Sequence, residues 1–151
     1  MENLLNHFPL HHIAIATEDI DKSVALYRDH LGYTELPREK IETFGAEVAF
    51  LLPSRSDNQD KNKETAIELI APLEKSSDNP ICKFLKKRGE GLHHICLSVQ
   101  NIQKEHERLL SLGYSFTTEK PRNGAHNAQV IFMHPKSSNG VLIELHEKEK
   151  I

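Results

Sequence analysis

Ten histidines stand in this 151-residue chain, four of them in the adjacent pairs His11-His12 and His93-His94. The second member of each pair opens a closely similar segment: His12 begins HIAIATEDI, and His94 begins HICLSVQNI 82 residues later. Late in each half the tripeptide IEL recurs, centred on Glu68 and on Glu144, 76 residues apart. Two imidazoles and two carboxylates repeated in this way suit a divalent ion of borderline hardness, and a six-coordinate ion held by four of them keeps two positions for water or substrate. If an approximate two-fold relates the halves, equivalent residues meet at its axis, His12 facing His94 and Glu68 facing Glu144. Both glutamates sit mid-strand in otherwise apolar segments, TAIELIA and GVLIELH. An uncompensated carboxylate there carries a desolvation cost of several kcal/mol. The competing reading is that both glutamates point outward on edge strands and the repeats are inherited scaffold, but the desolvation cost at these mid-strand positions favours a shared site.

The elements that must position these four residues also repeat. In 12–17, Ile13 and Ile15 alternate with His12, Ala14 and Ala16, as a half-buried strand requires; in 94–99, Ile95, Leu97 and Val99 alternate with His94, Cys96 and Ser98. One face is bulky and packs against helices; the other carries histidine among small side chains. A helical stripe follows each strand, Ile20, Val24, Tyr27 and Leu31 in the first half and Ile102, His106, Leu109 and Gly113 in the second. Asp19 and Asn101 are suited to cap these helices, and Gly32 and Gly113, each within an LGY tripeptide, to end them. Asn79-Pro80 followed by Ile81, Phe84 and Leu85 predicts a connector helix stopped at Gly89. Strands are expected at 48–52, 66–71, 129–133 and 141–146, with an exposed polar connection over 54–64 and a turn over 135–140.

The remaining candidates have blander roles. Strand alternation turns His11 and His93 away from a site that their neighbours face. His146 shares the face of Glu144, His126 and His134 fall in or near loops, and Cys96 is the size of a cavity-lining residue. A formal net charge of -3 offers no basic footprint for nucleic acid. No apolar run approaches the ~18 residues that a membrane-spanning helix needs. Cys82 and Cys96 form no CxxC pair, which favours a reducing, cytoplasmic location. The length suits a single domain.

The segments HHIAIATEDIDKSVALYRDHLGY, IELIAPLEKSSDNPICKFLKKRGEGLHHICLSV and PRNGAHNAQVIFMHPKSSNGVLIELHE span nearly the whole chain. They resemble the vicinal oxygen chelate superfamily, and within it the methylmalonyl-CoA epimerase family. The resemblance implies an α+β fold of two tandem βαβββ modules, about 8–72 and 91–147, joined by the connector helix at 79–89 and forming one curved mixed sheet around a metal site. It places the ligands on His12, Glu68, His94 and Glu144. The implied cofactor is one divalent ion, cobalt, manganese, nickel or zinc, and the implied partners are a small-molecule thioester and a second copy in a homodimer. The implied reaction removes and returns a proton at the α-carbon of methylmalonyl-CoA or a similar acyl-CoA through a metal-stabilised enolate. Glu144 is the implied acid/base, with Glu47 a second candidate. The family's second glutamate aligns about one position later, where this chain has Val48, and a shift of one residue turns a strand side chain to the opposite face. Two alternatives share the fold: a lactoylglutathione lyase acting on a glutathione hemithioacetal, and a metal-free small-ligand binding protein. An extradiol dioxygenase fits less well, because its facial triad has two histidines and one carboxylate.

Overall fold

A computed structural model describes residues 7–53 and 64–147. The connection expected at 54–64 thus lies, except for Glu64, outside the described residues. The chain forms two compact units: a central unit, His12–His94, and a terminal unit that takes the chain on either side of it, up to His11 and from Ile95 on.

The central unit contains β1 (Leu10–Ala16) from His12 onward, α1 (Ile20–Ala25), β2 (Tyr33–Glu35), β3 (Glu39–Ile41), β4 (Ala46–Pro53), β5 (Ala66–Pro72) and α2 (Pro80–Arg88). Its strands lie in the order β2-β4-β5-β1, with β3 also on β4. β4 runs antiparallel to β5, and β1 runs parallel to it. The apolar face packs as expected: Ile20 and Val24 of α1 bury against Ala49, Leu51, Leu69 and Ala71, with Ile15 and Tyr27 alongside. Asp19 caps α1 by accepting the Lys22 N–H at 3.1 Å. The expected stripe breaks at Leu31, which is 55% exposed. The helix passes into a π turn over Leu26–His30, closed by the Leu31 N–H donating to the Leu26 carbonyl at 3.1 Å. One extra residue in that turn rotates whatever follows off the buried face. Gly32 then ends the element at φ +79°. The connector helix is α2. Asn79 accepts the N–H groups of Ile81 and Cys82 at 2.8 and 3.2 Å, and its amide donates to the Gly45 carbonyl at 2.8 Å, tying the helix start to the turn before β4.

The terminal unit repeats the plan. It holds β6 (Gly91–Ser98) from Ile95 onward, α3 (Ile102–Ser111), β7 (Arg122–Asn123), β8 (Gln129–Met133) and β9 (Ile143–Glu147), in the sheet order β6-β9-β8-β7. β9 is parallel to β6 and antiparallel to β8. Asn101 caps α3 by accepting the Lys104 N–H at 3.0 Å, and Glu147 accepts the Ile102 N–H at 2.9 Å. The core is Val99, Ile102, Ile131 and Leu145, with Phe8, Leu97, Leu109, Phe116 and Ile143 packed on it. β9 starts two residues later than the expected 141. The Ser138 hydroxyl donates to the Val141 carbonyl at 2.6 Å and the Val141 N–H donates to the Ser138 carbonyl at 3.0 Å, which holds Val141 in the turn.

His106, on the buried stripe of α3, lies edge-on to Phe116 with ring centroids 4.6 Å apart. Burial lowers its pKa, opposed by Glu107, so the fold favours neutral imidazole. Below its unfolded value the unfolded chain binds a proton that the fold resists, so this contribution is present above that value and is lost as pH falls toward the folded one. His106→Leu is expected to lose less stability than the wild type between about pH 7 and pH 5, measured as the shift in urea midpoint. Identical acid-side losses in both proteins would remove His106 from the account.

Candidate metal centre

Three of the four residues are assembled within the central unit. Parallel pairing sets Ala14 beside Glu68, and antiparallel pairing sets Phe50 on its other side. Glu68 is 5% exposed, and His12 and His94 are buried. The Nε2 atom of His12 lies 3.8 Å from Glu68 Oε1, and the Nε2 atom of His94 lies 3.6 Å from the same oxygen. The two rings are 5.5 Å apart at 73°, and the His12 ring stands edge-on to Phe50 at 5.1 Å. These nitrogen-to-oxygen separations exceed hydrogen-bond length. They are close to the spacing of donors that each lie about 2.0–2.2 Å from one ion. Ala14, Ala16 and Ala66 are buried and, by alternation and pairing, share the His12 and Glu68 face, so no bulky side chain from β1 competes for that space. The donor set fits a divalent ion of borderline hardness.

Two neighbours with a positioning role escaped the sequence reasoning. His93, expected to point away, bonds Nδ1 to Nδ1 with His94 at 2.8 Å and packs its ring on Phe84 of α2 at 4.7 Å. One of those nitrogens must carry the proton, so the contact couples the tautomers of both rings and orients His94 through the nitrogen remote from Glu68. Glu90 accepts the Thr17 hydroxyl at 2.7 Å and the Glu18 N–H at 2.9 Å, joining the end of β1 to the residue before β6. These bonds hold its carboxyl below the usual range. Side-chain alternation gives no hint of the first contact, and residues 72 and 73 positions apart give none of the second.

Glu144 lies on β9 of the terminal unit, 9% exposed. Its surroundings copy those of Glu68. Glu68 stands between Ala14 on the parallel side and Phe50 on the antiparallel side; Glu144 stands between Cys96 and Phe132. Ala14 and Cys96, like Phe50 and Phe132, are 82 positions apart, the same offset that relates His12 to His94.

Glu47 does not share the Glu68 face. The β4–β5 ladder runs without interruption from Ala46↔Pro72 to Leu51↔Ile67, so Glu47 pairs with Ala71 while Phe50 pairs with Glu68. Three positions along a strand reverse the face, which puts Glu47 on the side where Ala49, Leu51 and Ala71 pack against α1. Its carboxylate lies 3.9 Å from Arg38 Nη1. Val48 occupies the other face, as strand alternation requires. Glu47→Gln is therefore expected to leave the catalytic rate within about twofold of wild type, the range of a surface substitution, in the exchange assay described below.

Residues 11–132 match the Glyoxalase/Bleomycin resistance protein/Dioxygenase superfamily, and the chain belongs to it. Within that class it is similar to methylmalonyl-CoA epimerases, which are isomerases. It is 38% identical to the mitochondrial methylmalonyl-CoA epimerase of Dictyostelium discoideum, across 92% of this chain and 78% of that one. It is 37% identical to the ethylmalonyl-CoA/methylmalonyl-CoA epimerase of Cereibacter sphaeroides, across 91% and 96%. A variant of the Streptomyces coelicolor methylmalonyl-CoA epimerase, solved in complex with 2-nitronate-propionyl-CoA, superposes with a TM-score of 0.84 at 28% identity, covering 95% of this chain and 99% of that one. The α+β class and the tandem plan expected from the sequence are those of this fold. No helix among the described residues is long and apolar enough to cross a membrane.

Proposed function

We propose that this chain is a metal-dependent epimerase of methylmalonyl-CoA or a closely similar acyl-CoA. The observation that carries the proposal is the convergence of His12 Nε2 and His94 Nε2 on one buried oxygen of Glu68, in a chain whose relatives are epimerases of such thioesters. Glu144 is proposed as the fourth ligand, supported by its burial and by strand partners that repeat those of Glu68. Whether it joins from the same chain or from the second copy of a homodimer, the same residue pairs are used. We treat the chain as one domain, supported by the repetition of a single plan in both units.

A divalent ion of the cobalt, manganese, nickel or zinc class, when bound, supplies Lewis-acid stabilisation of the negative charge that develops as the α-proton leaves. His12, His94 and Glu68 hold their donor atoms in place for it, with His93 orienting His94. Glu144 accepts the α-proton. A solvent-derived proton delivered to the opposite face of the carbon completes inversion, and Glu144 releases the proton it took to solvent. Neither Cys82 nor Cys96 is in a disulfide, which supports a reducing compartment such as the cytoplasm.

In deuterated water, the protein is expected to exchange the α-hydrogen of methylmalonyl-CoA for solvent deuterium, followed by mass spectrometry, and to leave the hemithioacetal of methylglyoxal and glutathione unconverted. Turnover of the hemithioacetal alone would assign the chain to the lyase branch. Turnover of neither would favour a binding protein.

A further inference from the structure

A second set of potential ligands lies wholly within the terminal unit. His11, Cys96 and His146 each offer a donor atom, and these atoms lie within 4.8 Å of one another. The two imidazole rings are 4.0 Å apart at 43°. Cys96 and His146 are buried and His11 is half-buried. Parallel pairing of β6 with β9 sets Ser98 opposite His146, on the face that also carries Cys96. The Ser98 hydroxyl lies 3.3 Å from His146 Nδ1, the arrangement in which a ligating imidazole has its second nitrogen held by a hydrogen-bonding neighbour.

We propose that His11, Cys96 and His146 bind one zinc-type divalent ion through two imidazole nitrogens and a thiolate, with a fourth position open to water. This site is separate in composition from the His12, Glu68, His94 and Glu144 set and does not rest on the epimerase reading. A thiolate selects zinc over manganese or magnesium, whereas carboxylate-rich sets accept the harder ions. Tetrahedral zinc spaces such nitrogens and sulfur about 3.3 to 3.6 Å apart, so a contraction of roughly one ångström closes the site. Binding releases the thiol proton to solvent, and the thiolate lone pair forms the bond to the ion.

The test uses the full chain, freed of metal and titrated with cobalt(II) as a spectroscopic probe for zinc. With the imidazoles of the first set removed in H12A/H94A, one cobalt per chain is expected to bind and to give sulfur-to-cobalt charge-transfer absorption in the near ultraviolet. Cys96→Ser should abolish that band, in this background and in the wild type, while Cys82→Ser should leave it. Zinc should raise the thermal midpoint of H12A/H94A and not that of its Cys96→Ser derivative, which controls for a variant that merely folds poorly. Absence of the band at excess cobalt in both backgrounds, its survival in Cys96→Ser, or its loss in Cys82→Ser overturns the proposal. Absence of epimerase activity in the wild type, with the band intact, would instead strike the functional reading alone.

Discussion

Replacing Glu144 by glutamine is expected to slow deuterium incorporation at the substrate α-carbon by ~100-fold or more, the usual scale for removing a positioned acid/base. Glutamine keeps a carbonyl oxygen that can still face an ion, but it does not accept a proton at neutral pH. Glu68→Gln makes the same chemical change in the same local frame, between a small residue and a phenylalanine on the neighbouring strands. Yet Glu68 Oε1 already has two imidazole nitrogens near it, at 3.6 and 3.8 Å, and its proposed role is that of a ligand rather than a mobile base. Its loss should be much milder and should recover with excess metal. Equal losses in the two variants at saturating metal would show that the division of labour is wrong. Equal and slight losses would place the base on another residue.

The second large effect concerns the ion itself. Protein equilibrated with manganese and then desalted should retain close to one ion per chain, and His12→Ala or His94→Ala should reduce that to background by deleting a donor. Manganese is chosen because it discriminates against thiolate sites, so the His11, Cys96 and His146 cluster does not mask the result. Undiminished manganese in H12A/H94A, measured by elemental analysis beside unchanged circular dichroism, would sink the proposed centre.

Much of this arrangement is written locally in the chain. The caps at Asp19, Asn79 and Asn101 and the helix stop at Gly32 arise from side chains or backbone freedom within a few residues, and each is where its residue type predicts. The 82-residue repeat carried His12 and His94 together because similarly alternating strand segments expose the same face. Other features depend on contacts that periodicity does not encode. β2, β3 and β7 have two or three residues each, too few to display alternation. The π turn after Ala25 has no proline or glycine to announce it, and it alone decides that Leu31 meets solvent. The placement of Glu47 turned on one position of register between β4 and β5, which only the ladder itself resolves. His93 shows the converse: alternation sends its backbone Cα–Cβ vector away, but its ring still reaches His94 through Nδ1.

The parallel pairing of β1 with β5 has a kinetic corollary. It joins the first and last strands of the plan in the central unit, so His12 and Glu68 meet only once the loop-closure entropy of the chain between them has been met. Contacts of that kind form late. An ion that requires both donors therefore gains most of its grip after the folding barrier, and its stabilisation should be seen as slower unfolding, with the refolding arm of the chevron nearly unmoved.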